Sequence, residues 1–129
     1  MKKKKILFLP AGIGLAHVGR CSSLAKELKT RGYDIFFGIG KHSSIVVEKE
    51  GFPYQLISEV AWEIYEGKFR KLNPSIYSFE MIEKFVKEEL ALIRQEKPDL
   101  IVADIRPTAK ISASIAKIPL VSILNVDAT

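Results

Sequence analysis

The chain has 129 residues, 47% apolar and 27% charged, with a formal net charge of +5 and one cysteine. That length and apolar share suit one domain with one core and exclude a chain disordered throughout. No apolar run reaches the roughly 18 residues of a membrane span, the mild positive excess lacks the clustered stripe of a nucleic-acid binder, and Cys21 alone cannot form an internal disulfide and suits a reducing compartment.

Lys2, Lys3, Lys4 and Lys5 lead into the first apolar run. Their basic-then-apolar pattern is like the start of a signal peptide. The apolar part, residues 6–9, is too short for one, so the expected location is cytoplasmic. Residues 4–10 read as a strand buried on both faces. A small-residue loop follows over residues 11–17. Val18, Cys21, Leu24, Ala25 and Leu28 recur at three and four, which predicts an amphipathic helix, closed by Lys29 and Arg31 and capped by Gly32. Residues 33–39 form a second strand. Ser43 or Ser44 caps a short helix ending near Gly51, and residues 54–57 form a weak third strand.

From Ser58 to Asn73 the periodicity dissolves, with Trp62, Tyr65 and Phe69 set among charged residues. A long helix is predicted over 75–97. Phe79, Ile82, Val86, Leu90 and Ile93 are its core stripe, and Glu80, Glu83, Lys84, Lys87 and Glu88 its solvated face. Pro98 stops it. Residues 100–103 form a fourth strand ending at Asp104. Pro107 opens another helix whose Ile111, Ile115 and Ala116 face inward, and residues 120–124 form a fifth strand. This alternation predicts an α/β fold, a doubly wound parallel sheet with helices on both faces and strand order 3-2-1-4-5.

In such a sheet ligands bind where the strand order reverses, here between the first and fourth strands. That point exposes residues 12–19 and 104–107. Gly12 and Gly14 let backbone approach a ligand, and the helix start behind them favours an anion. Gly19, Arg20 and Arg106 are the other acceptor- or phosphate-proximal candidates, with a solvated helix residue as the alternative for Arg20. A dinucleotide fingerprint fails: histidine replaces its third glycine, and Gly38-Ile39-Gly40-Lys41 carries no acid for a ribose. His17 lies at the helix start and Asp104 ends the neighbouring strand. Adjacent strands are about 4.8 Å apart, so the two side chains can meet. An imidazole oriented by a carboxylate is a general base for a hydroxyl. The plainer alternatives are a loop histidine with no task and, for Asp104, a helix cap or a pair with Arg106.

Gly14-Leu15-Ala16-His17-Val18, Leu24-Ala25-Lys26-Glu27-Leu28 and Arg31-Gly32-Tyr33-Asp34-Ile35 resemble the opening of GT-B glycosyltransferases. That family includes the UDP-glycosyltransferases, the macrolide glycosyltransferases and, more distantly, the lipid II synthase MurG. Lys97-Pro98-Asp99-Leu100-Ile101-Val102-Ala103-Asp104 and Ala116-Lys117-Ile118-Pro119-Leu120-Val121 are similar to a segment of the UDP-glycosyltransferase branch. The resemblance implies that residues 1–129 are one Rossmann-like domain, the N-terminal, acceptor-side half of an inverting glycosyltransferase. His17 would be its general base and Asp104 the support of that base. It also implies that the C-terminal donor domain is absent from this chain, which is then a fragment or half of a split enzyme and inactive alone. The missing domain or separate subunit would bind most of a UDP- or other NDP-sugar, the acceptor would be a small molecule or lipid, and no cofactor is implied. Where the family often has proline, three residues after the histidine, this chain has Arg20. The alternative from another class is a stand-alone Rossmann-like binding or regulatory module without catalysis.

Trp62, Tyr65 and Phe69 are candidate acceptor contacts, or else they pack on the sheet. Cys21 falls on the inward stripe and reads as a buried apolar residue, not a nucleophile. His42 is a loop residue without a visible partner, and no cluster has zinc-ligand spacing. Lys2, Lys3, Lys4 and Lys5 offer weak contact to an anionic membrane surface, or a solubilising lead-in.

Overall fold

The computed structural model describes residues 3–12, 15–59 and 78–124. Lys2, Gly14, the expected helix start at Ser75 and the trio Trp62, Tyr65 and Phe69 lie outside these residues. The described elements are β1 (Lys5–Pro10), α1 (Leu15–Thr30), β2 (Asp34–Ile39), α2 (Ser44–Lys49), β3 (Tyr54–Leu56), α3 (Phe79–Glu96), β4 (Leu100–Asp104), α4 (Thr108–Ala116) and β5 (Leu120–Ile123). Their strands form one sheet in the order β3-β2-β1-β4-β5, with every pairing parallel. This is the predicted doubly wound order.

β1 is central because it can be buried on both sides. Its side chains alternate between faces. Ile6 and Phe8 enter a core with Val18, Cys21 and Ala25 of α1 and Val47 of α2. Leu7 and Leu9 enter the opposite core with Leu92 and Ile93 of α3 and Ala109 and Ala113 of α4. Phe8 stacks on Phe37 with ring centroids 5.1 Å apart. Parallel pairing brings Pro10 opposite Asp104, so the ends of β1 and β4 reach the same level.

Helix boundaries follow local chemistry. Gly32 takes φ 94 after α1, and the Tyr33 N–H returns to the Leu28 carbonyl at 3.2 Å, a left-handed cap that glycine adopts without strain. Ser78 accepts from the Met81 N–H at 3.1 Å to start α3. The capping expected for α2 is different. Ser43 stands at the cap position with φ −103 and ψ −7 and makes no side-chain cap. Its hydroxyl instead reaches back to the Gly12 carbonyl at 3.4 Å, and Ser44 donates to Lys41 O.

Several inward assignments are corrected. Leu24 is exposed, because the inward arc of α1 is Val18, Cys21, Ser22 and Ala25. Phe79 is 79% exposed. The buried face of α3 is Phe85, Glu89, Leu92 and Ile93, and a residue six positions before Phe85 points about 120° away from it. Ile111 and Ile115 are also exposed. The inward face of α4 is Thr108, Ala109, Ser112 and Ala113, since α4 meets a buried carboxylate on α3.

Candidate functional site

The carboxyl edge of β1 and β4 assembles three side chains. His17 is in the first turn of α1, Arg20 follows one turn later on the same face, and Asp104 closes β4. The Ala11 N–H donates to the Asp104 carbonyl at 2.8 Å, which locks the two strand ends together. The Asp104 carboxylate is buried, and His17 Nδ1 lies 3.0 Å from its Oδ1. Arg20 forks onto the same group, with Nε donating to Oδ2 and Nη2 to Oδ1 at 2.5 Å. Arg20 Nη2 is also 3.2 Å from His17 Nδ1.

A buried carboxylate costs much free energy unless it is paired and hydrogen-bonded, and a bidentate guanidinium is the strongest such partner. The hydrogen bonds Arg20 donates to Asp104 raise the Arg20 pKa above its ordinary value. The nearer neighbour of His17 Nδ1 is an acceptor oxygen, an arrangement that suits a proton on Nδ1. Arg20 is not simply solvated. It is the counter-ion of Asp104, with 39% of its side chain exposed. The alternative pair of Asp104 with Arg106 does not form. Cys21 is buried beneath, its Sγ 3.9 Å from Asp104 Oδ2. Burial first, and the Asp104 charge second, push its thiol up to about 12, which makes it no nucleophile.

Gly12, with Gly40, makes room for a side chain of the protein itself. A Cβ on Gly12 would lie 1.3 Å from Glu59 Oε2, and one on Gly40 1.9 Å from Glu59 Cδ. The Glu59 carboxyl therefore fills the space the two glycines leave at the ends of β1 and β2. The His42 main-chain N–H donates to it, so His42 does have a partner, and burial raises the Glu59 pKa. Glu59 Oε2 is buried without a hydrogen-bond partner. Gly19 has open space where a Cβ would stand, so close approach does not require it.

Arg106 is also corrected. It is buried, donating through Nε to Glu89 Oε2 at 2.6 Å and through Nη2 to the Ser58 carbonyl at 2.8 Å, with its guanidinium 4.7 Å from the Phe85 ring centre. It is not placed to meet a phosphate. Thr108 and Ser112 each donate to Glu89 at 2.6 Å. Glu89 was missed, although an acid four residues after Phe85 and three before Leu92 stands on a helix's inward line. Glu88 is not wholly solvated, because it accepts from the Ser58 N–H and hydroxyl. A cavity of about 400 Å³ opens beside this turn, lined by Ala103, Ile105, Pro107, Lys110, Ser122 and Leu124 as well as Arg106. Among the described residues no group of three or more His, Cys, Asp or Glu could hold a metal ion.

No protein-family model matches the chain. A PGL/p-HBAD biosynthesis rhamnosyltransferase of Mycobacterium bovis is 27% identical over 96% of this chain and 27% of its own length. An uncharacterized glycosyltransferase of Methanosarcina mazei is 33% identical over 94% of this chain and 32% of its own length. The chain's relatives are glycosyltransferases. It spans about a third of the length of the curated relatives it matches. In fold it matches the glycosyltransferase SsfS6 of Streptomyces, with a TM-score of 0.73, 19% identity and coverage of 94% of this chain and 39% of that one. MurG of Acinetobacter baumannii follows with a TM-score of 0.71, 16% identity and coverage of 94% and 34%. The sheet thus has the same Rossmann-like fold as these glycosyltransferase structures. Among the described residues of this glycosyltransferase relative, no helix is long and apolar enough to cross a membrane.

Proposed function

We propose that the chain is the acceptor-binding, N-terminal part of an inverting, nucleotide-sugar-dependent glycosyltransferase, with His17 as the general base. The carrying observation is the 3.0 Å contact of His17 Nδ1 with the buried Asp104 carboxylate. It leaves Nε2 as the basic nitrogen at the carboxyl edge of the sheet. Nε2 takes the proton of an acceptor hydroxyl, the oxygen forms a bond to the anomeric carbon, and the nucleoside diphosphate leaves with the electron pair of the broken bond. Asp104 orients the ring and stabilises the imidazolium, and Arg20 holds the Asp104 carboxylate in place through its two-pronged contact. One displacement inverts the anomeric centre and calls for no organic cofactor.

The donor, a UDP- or other NDP-sugar, is held mainly by a second domain or a separate subunit. The short span of the chain relative to its relatives supports this. The acceptor is a small molecule or lipid, and the reaction belongs in the cytoplasm. The test joins the chain to a donor domain and supplies a UDP-sugar. Transfer is expected with an inverted anomeric configuration, read from proton coupling constants. Retention of configuration contradicts the mechanism, and no transfer by any assembled pair favours the binding-module alternative.

A further inference from the structure

We infer that Arg106 is a positioning residue for the His17–Asp104 pair, an inference that rests on reading that pair as the base. Ile105, between Asp104 and Arg106, has φ 48. A β-branched residue resists this left-handed conformation, so something must hold it. On one side the Ile105 N–H donates to the Ile123 carbonyl at 3.2 Å. On the other side Arg106 is anchored at three points. Glu89 on α3 accepts from its Nε, the Ser58 carbonyl just beyond β3 accepts from its Nη2, and the Phe85 ring faces its guanidinium. Thr108 and Ser112 complete the hydrogen bonds of Glu89, and Glu88 holds Ser58 through its N–H and hydroxyl.

The turn after β4 is therefore pinned to α3 and to the residue that leads into segment 59–77. Released, Ile105 relaxes toward ordinary backbone angles and rotates the peptide that follows Asp104. The carboxylate then shifts relative to α1, which carries His17. A buried ion pair is a poor way to gain stability alone, because its desolvation cancels much of its attraction. Fixing one geometry is the use this pair serves here.

The experiment labels the full chain with ¹⁵N-histidine. His17 and His42 are distinguished with a His42→Gln variant. In the wild type, His17 is expected in the Nδ1–H form, with that proton protected from solvent exchange. Arg106→Lys is expected to speed its exchange at least tenfold and to mix the tautomers. Ser112→Ala removes one hydrogen bond from Glu89 without touching the turn. It is expected to lower Tm and leave the His17 signal unchanged. If Arg106→Lys lowers Tm yet also leaves the signal unchanged, Arg106 is only a core residue and the inference is overturned. If Arg106→Lys does not fold, Ile105→Gly is added, because glycine accepts positive φ without strain. With no strain left to drive the turn away, the double variant is expected to fold and to regain a protected Nδ1 proton. A fast-exchanging proton in it, or a failure to fold, overturns the inference. A wild type with no protected Nδ1 proton overturns the base reading as well. A protected proton indifferent to Arg106 leaves that reading standing.

Discussion

Asp104 and Glu89 are both wholly buried carboxylates answered by an arginine, and they sit on opposite sides of one turn. Their surroundings differ in one respect. Around Glu89, the Arg106 side chain is only 3% exposed, and Arg106 Nε, Thr108 and Ser112 all donate to the carboxylate inside the protein. Around Asp104, Arg20 reaches solvent and His17 turns one ring nitrogen away from the carboxylate. The closed network can only hold shape. The open one also leaves an imidazole nitrogen turned away from the carboxylate at the edge of the sheet, and on the proposed reading that nitrogen is the base.

The largest effect should come from breaking the closed network. Glu89→Ala strands Arg106 as an unpaired buried charge, which costs about 3–5 kcal/mol, a large share of a typical domain's 5–15 kcal/mol. Arg20→Ala should cost less, about 1–3 kcal/mol, because water can reach Asp104 where the exposed guanidinium stood. Denaturant unfolding of both variants checks the order. Equal losses would erase the distinction between the two networks.

Glu59 sharpens the comparison, because its Oε2 is buried without a hydrogen-bond partner and Arg106 acts on the carboxyl only through its charge. Burial raises its folded pKa above the unfolded value. The folded state thus holds the proton more tightly, and the associated stability is present at low pH and lost as pH rises through the folded pKa. Glu59→Gln should therefore match the wild type in acid and become the more stable protein above the ordinary glutamate range. Tm measured across pH tests this, and a gap that closes as pH rises contradicts it.

The smallest effect concerns Cys21. Its thiol, pushed up to about 12 and buried, should resist a thiol reagent near neutral pH until the chain unfolds. Labelling followed against denaturant checks it, and rapid labelling of native protein would show the floor of the Asp104 site to be open.

The sheet order was legible because it depends on local signals: apolar runs for strands, Gly32 and Pro98 for helix ends, and right-handed crossovers between them. The meeting of His17 with Asp104 was legible because strand ends at a switch point have few neighbours. The inward faces of α3 and α4 were less legible. Counting apolar residues sent Phe79, Ile111 and Ile115 inward, whereas the interior position belongs to Glu89, whose partners lie 17 to 23 residues away. The fork of Arg20 and the seat of Glu59 likewise depend on contacts between distant strands, and nothing in their immediate sequence marks them.

The central claim is that His17 is the base. The pH–rate profile of the chain assembled with its donor domain tests it most directly. His17→Ala should cost about 10²–10⁴-fold in kcat and abolish the limb of the profile that reports a histidine. A profile whose histidine limb survives His17→Ala unchanged would contradict the account.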